Sequence, residues 1–256
     1  MRAKRIPHTF VIATMTLASA ACETMSPPDA LELARRNSEA RGGASAIERV
    51  RGVDLWLDMR EGETRVRGHY VANRDGCMRI DIYDRDARVF TEAMTPDGGW
   101  NVGAVASEVQ ENSARGAAAL RHSIESPFRL FGLHEFPGRG HRLSSGEAAT
   151  IDARNYFRLD VTYADGYVAE LYLSRSDALI ERMRERKPAH VDANPSVRRI
   201  ETQVSDYREV AGVRFPFLTQ EIDIDTLETV SSARVERLMV NTPEALSVCE
   251  TEPPGA

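Results

Sequence analysis

Long apolar runs are missing from this chain after residue 21. A membrane-spanning helix needs about 20 consecutive apolar residues, so none is expected in the rest of the chain. An excess of basic charge is missing too: 33 Lys and Arg stand against 39 Asp and Glu, a net charge of −6. That argues against a nucleic-acid partner, which would need a basic face. Cysteine is scarce, with Cys22, Cys77 and Cys249 the three present. Solenoid-type repeats and low-complexity tracts are absent. So are common catalytic signatures: there is no G-x-S-x-G elbow, no P-loop, and no spacing that orders Ser and His into a triad.

The N-terminus supplies the one strong address. Arg2, Lys4 and Arg5 precede the apolar run FVIATMTLA and a tail of small residues, the layout of a secretory signal. Two cleavage readings stand side by side. Ala18-Ser19-Ala20 and Ser19-Ala20-Ala21 both suit ordinary signal peptidase, whereas Ala20, Ala21 and Cys22 suit a bacterial lipobox with Ser19 where Leu is usual. In the second reading Cys22 is the lipid attachment site and anchors the protein to a membrane. Residues 1–21 hold three basic and no acidic residues, so their removal moves the net charge from −6 to −9. The roughly 230 residues left suffice for one sizeable core. The expected division is a signal peptide over 1–21 and a single domain over 22–256. If Cys22 carries lipid, Cys77 and Cys249 remain as an even pair for a disulfide in an oxidising compartment. The other reading is two unpaired buried thiols.

Ser26, Pro27 and Asp29 open a helix. Leu31, Ala34 and Ala40 give it a thin apolar stripe, Gly42 and Gly43 end it, and ASAIERV is a short second helical piece. From Val53 the period changes to two: Val53, Leu55, Leu57 and Met59 alternate with Asp54, Trp56 and Asp58. EGE and NRDG turn the chain into TRVRGHYV and CMRIDIY, and ARVFTEAM and WNV extend the meander. Short loops between alternating runs imply antiparallel neighbours. Residues 107–133 break the pattern: Val109, Gly116, Leu120 and Ile124 recur at helical spacings, and Ser126-Pro127 restarts a turn through FRLFGL. HEFPGRGH reads as a loop. Strands resume at NYFRLDVTY, YVAELYLS and LIERMRER, KPAHVDANPS is another loop, and three long alternating segments close the chain. The expected fold is α+β: a curved antiparallel sheet forming an open half-barrel, with helices over its concave apolar face.

The polar candidates for chemistry read as ordinary surface. His134, Glu135 and His141 lack the i, i+4 spacing of a zinc helix and read as exposed loop residues. His69 reads as a solvated residue on an arginine-rich strand face, and the pairs Asp54/Asp58 and Asp223/Asp225 as solvated strand positions. No metal site and no catalytic residue is expected. The apolar face is more informative. Leu55, Leu57, Tyr70, Ile80, Ile82 and Phe90 form either a plain core or, with Leu120, the wall of a ligand cavity. The insert offers the sheet Gly116 and several Ala, a thin cover. An unfilled gap there would suit an acyl chain, at about 0.8 kcal/mol per buried methylene.

The order of features resembles the LolA-like, outer-membrane lipoprotein-sorting group. The residues that carry the resemblance are ARGGASAIERVRGV leading into a strand, TPDGGWNV, the paired strands within IDARNYFRLDVTYADGYVAELYLSRSDALIERM, SDYREVAGVRFPF, and VERLMVNTPEALSVCETEP. The resemblance runs from about residue 30 to 253. It implies an open half-barrel whose apolar cavity takes acyl chains of lipids or lipoproteins on the periplasmic side of a Gram-negative envelope, with no cofactor and no catalytic residue. Carriers, anchored acceptors and envelope-stress sensors all share this pattern. The expected function is therefore an envelope binding protein. The alternative is an interaction module whose Arg65, Arg67, Arg79 and Arg88 dock an acidic envelope protein.

Overall fold

The structure of the chain is a computed structural model that describes residues 28–103, 108–192 and 194–253. Cys22, Ser26 and Pro27 lie outside the described residues. The first helix, α1 (Ala30–Ala40), is capped by Asp29, whose carboxylate accepts the Glu32 amide at 2.8 Å. Its buried face is not the expected stripe. Leu31 is 64 % exposed, and Leu33, Ala34, Asn37 and Ser38 face inward. The inward polar pair hid the true face, because each finds a carbonyl: Asn37 Nδ2 donates to Ala178 O at 2.8 Å and Ser38 Oγ to Ala34 O at 3.0 Å. Gly42 then turns at φ +125°, where an added Cβ would lie 2.0 Å from Gly212 O. Only glycine allows both that conformation and that approach. A short α2 (Ala44–Glu48) follows.

The first meander is β1 (Gly52–Glu61), β2 (Thr64–Asn73), β3 (Met78–Asp84), β4 (Ala87–Thr95), β5 (Gly98–Gly103) and β6 (Gln110–Glu111). The insert holds a shorter helix than expected, α3 (Ala114–Ile124), whose Ser113 cap accepts the Gly116 amide at 3.1 Å. Irregular turns then lead to β7 (Arg142–Ser145), β8 (Ala149–Ile151), β9 (Arg154–Thr162), β10 (Val168–Ser174), β11 (Ile180–His190), β12 (Asn194–Val210), β13 (Val213–Asp223), β14 (Thr229–Val240) and α4 (Pro243–Leu246).

These fourteen strands form one antiparallel sheet in the order β6-β5-β4-β3-β2-β1-β14-β13-β12-β11-β10-β9-β7, with β8 beside β9. It is an open, curved half-barrel. The two meanders meet where β1 pairs with β14, Leu55 opposite Leu238. The segment KPAHVDANPS is not a loop: Lys187 pairs with Arg198 and His190 with Asn194 in a long β11–β12 hairpin. Its prolines misled the reading. β10 pairs β11 only from Ile180 to Glu185, so among the described residues β12 is the one strand beside Pro188, an edge setting in which proline is tolerated.

The apolar core lies on the concave face and reaches from Leu33 and Ile47 through Leu55 and Leu57 to Leu159, Leu171 and Phe215. On the outer face Cys77 and Cys249 are bonded, with Cα atoms 5.2 Å apart and 172 residues of separation. They pack with Val71 and Val248. Closing so long a loop stabilises the fold by up to about 5 kcal/mol in the chain-entropy account. No helix among the described residues is long and apolar enough to cross a membrane.

Candidate functional site

Between the concave face and α3 lies a cavity of about 860 Å³. Alternation on β1 sends Leu55, Leu57 and Met59 into it, and register brings Tyr70 beside Leu55, Ile80 beside Tyr70, and Leu238 on the other flank. Leu120 of α3 lines it as well. Ile82 and Phe90 pair with each other on β3 and β4 and are half-buried beyond its lining. The gap exists because the cover is small. An 11-residue helix spans about 16 Å, and α3 lines the cavity with the small side chains of Ala118 and Ala119 beside Leu120. Across from it, Gly68 leaves room that Met59 Sδ occupies; an added Cβ would sit 2.7 Å from that sulfur.

Residues that sequence reasoning did not single out complete the wall. From the second meander come Met183, Phe215 and Val235, and from the β11–β12 hairpin Pro188, Val191, Pro195 and Val197. A charged group stands among them. Lys187 Nζ is 2.7 Å from both Glu185 and Glu221, Tyr167 Oη donates to Glu185 at 2.7 Å, and Ser231 Oγ donates to Glu221 at 3.1 Å. Burial pushes the Lys187 ammonium down, but the two carboxylates outweigh it and hold it charged well above the usual lysine range. Burial, reinforced by Glu185, raises the Tyr167 phenol. The signal was present in Met183-x-Glu185-x-Lys187, where period two with Met183 inward places both charged residues on the concave face.

The wall after α3 is held by Arg41, which is 1 % exposed. Its guanidinium donates to the carbonyls of Pro127 at 2.5 Å, Phe131 at 2.8 Å and Arg129 at 2.9 Å. Burial pulls its pKa down to about 10, still charged at neutral pH. These bonds fix the segment that brings Phe128 and Arg129 to the cavity. Arg74 braces the same segment through Leu130 O at 2.6 Å and pairs with Glu135 at 2.5 Å.

The loop residues expected to be exposed are structural. His141 is 4 % exposed; its Nδ1 accepts the Ala164 amide at 3.1 Å, and burial lowers its pKa. Glu135 lies in the pair with Arg74, and His134 Nδ1 is 2.7 Å from Ser38 Oγ. Glu48 stands 3.4 Å from the other His134 nitrogen, which completes a Ser–His–carboxylate row. Ser38 is 2 % exposed and its hydroxyl proton serves the Ala34 carbonyl, and none of the three lines the cavity. That row is not poised for nucleophilic attack.

The outer face corrects two further expectations. Asp54 and His69 are not solvated but 3 % and 7 % exposed, bonded to each other at 3.0 Å beneath Trp56, which stacks on His69 at 4.4 Å. Thr242 of the α4 cap donates to Asp54 at 3.1 Å. Asp223 is also buried and accepts the amides of the turn that follows it. Alternation assigned Asp54 and His69 to the outer face correctly, but α4 and Trp56 cover them; Asp223 shares the face of Glu221, two residues before it, and its own tight turn buries it. Asp54, His69 and Glu244 converge closely enough for a metal ion. Their atoms are engaged by one another, by Thr242 and by Arg79, which argues for an ion-pair network instead.

No family model and no curated protein matches the sequence. Solved structures do match. A LolA superfamily protein from Nitrosomonas europaea aligns at TM-score 0.56 and 14 % identity, covering 84 % of this chain and 95 % of its own. A putative outer membrane lipoprotein-sorting protein domain from Vibrio parahaemolyticus aligns at 0.55 and 12 %, covering 86 % and 96 %. The chain has a LolA-like fold. A DUF1329 family protein from Desulfovibrio piger also aligns, at TM-score 0.55 and 10 % identity, covering 86 % and 95 %.

Proposed function

We propose that this LolA-like chain is an envelope protein that holds the acyl chain of a lipid or lipidated polypeptide in its concave cavity. The observation that carries the reading is the vacancy itself: about 860 Å³ beside Leu55, Leu57, Val235 and Leu238, at the upper end of the range for ligand sites. Apolar burial supplies the affinity, about 0.8 kcal/mol per methylene, and no catalytic residue is assigned. The likeness to a protein described as lipoprotein-sorting supports the ligand class. The secretory signal over 1–21 and the Cys77–Cys249 bond fit the periplasm, and acylation of Cys22 would place the protein at a membrane surface. The alternative, an acidic partner on the outer arginines, has less to support it. Arg65 already pairs with Asp58, Arg67 with Glu236, and Arg79 and Arg88 with Asp81.

Delipidated protein titrated with a fluorescent fatty acid tests the cavity. Saturable binding that Leu57→Arg abolishes without unfolding the protein is expected; no saturable binding by the wild type would end the reading. Palmitate labelling of wild type against Cys22→Ala tests the anchor, with label expected only in the wild type.

A further inference from the structure

The cations beside the cavity are not equivalent. Lys187 is held by two carboxylates, Arg74 by Glu135, and Arg41 by main-chain carbonyls. Arg129 differs. It lines the cavity half-buried, its guanidinium lies over the Tyr70 ring at 4.5 Å, and among the described residues it makes no ion pair and no side-chain hydrogen bond. Arg115, the other unpaired cation of the lining, is exposed at the start of α3, where water serves it. The Tyr70 ring beneath Arg129 is 3 % exposed and carries a second unmet group: its hydroxyl has no hydrogen-bond partner. Native structures rarely leave a buried hydroxyl and a half-buried guanidinium unmet side by side. A planar fork stacked on an aromatic ring is suited to a carboxylate or phosphate.

The far end of the cavity has the opposite character. Tyr70 pairs with Leu55, whereas Glu221 pairs with Ser231 and Ser231 with Glu61. Six residues of β1 separate these levels, about 20 Å at strand rise. There the Glu185–Lys187–Glu221 group has one more negative than positive charge and would repel an acid. Between the two ends the lining includes Leu57 and Val235.

Resting on the acyl-chain reading, we propose that Arg129 is the head-group site of the cavity: it receives the carboxylate or phosphate of an anionic amphiphile whose chain lies along Leu57 and Val235 toward the Glu185–Lys187–Glu221 group. The protein then selects acidic amphiphiles over neutral ones of equal chain length.

Displacement of a fluorescent probe from the delipidated full-length protein, at neutral pH, tests this. Dodecanoate and dodecyl phosphate are expected to bind about tenfold tighter than dodecanol, the scale of one charge-assisted hydrogen bond. Arg129→Leu should erase that preference, with circular dichroism showing that the variant is folded. Tyr70→Phe should reduce it. The proposal is overturned if the wild type binds acid and alcohol alike, if Arg129→Leu keeps the preference, or if inorganic phosphate alone displaces the probe at the concentrations that suffice for dodecyl phosphate. Loss of all three amphiphiles from the wild type would instead remove the acyl-chain reading, and this one with it.

Discussion

Asp54 and Leu55 are chain neighbours on β1, point to opposite faces, and are each 3 % exposed. The two faces reach equal dryness by different physics. On the outer face, carboxylates are buried because each has donors: Asp54 has His69 and Thr242, Asp81 has Arg79 and Thr91, and Glu201 has Arg182 and Arg184. Every such group is matched, and the Cys77–Cys249 bond ties α4's end of the chain to the start of β3. On the inner face, apolar side chains meet one another and then run out, which leaves a gap and an unmatched Arg129. The buried carboxylates of the outer face are satisfied internally, whereas Arg129 and the Tyr70 hydroxyl of the inner face are not.

The largest way to disturb that contrast is on the outer face. Asp54→Ala leaves His69 and Thr242 without their acceptor in a dry site and should cost about 3 kcal/mol in a urea titration. Asp54→Ala combined with His69→Phe should cost less than the sum of the two, because no unmatched donor then remains at the ring. On the inner face, truncation should matter according to whether it opens a new void. Leu171→Ala, in the closed core, should cost about 3–4 kcal/mol, whereas Leu57→Ala, beside space that is already vacant, should cost about 1–2 kcal/mol less. Equal losses at both sites would mean that the inner face is packed throughout.

The smallest effect is on pH. Burial depresses the His141 pKa in the folded chain, with Glu125 opposing. The unfolded chain therefore binds the proton more readily, and stability should fall as pH drops below about 6.5 and level off below the folded value. The Glu135 and Glu201 carboxylates are lowered in the native state, so their contribution is present above about 4.5 and is lost only on further acidification. A His141→Gln variant should be flatter between these windows than the wild type by thermal melts.

Much of the sheet was legible because period-two alternation is a strong local signal. Val53 to Met59, the EGE and NRDG turns and the two meanders all read directly from the residues. What alternation assigns is a face, not its solvation. The dryness of Asp54, His69 and Asp223 comes from α4, Trp56 and a turn, which are tertiary events. The buried face of α1 was hidden by Asn37 and Ser38, polar residues that donate to carbonyls. Within the cavity, Leu55, Leu57, Tyr70, Ile80 and Leu120 could be named from their spacing. Arg129 could not, because its place depends on Arg41, 88 residues away, gripping its carbonyl. The Lys187 group was missed because Pro188 and Pro195 read as breakers, whereas β11 and β12 pair on both sides of them.

The most direct measurement places a chain on one face or the other. Methyl NMR of the delipidated protein titrated with a spin-labelled fatty acid should broaden Leu57, Val235 and Leu238 on the inner face more strongly than Val71, beside the disulfide. Broadening of Val71 with the inner methyls unaffected, or no broadening at saturating label, would contradict the account.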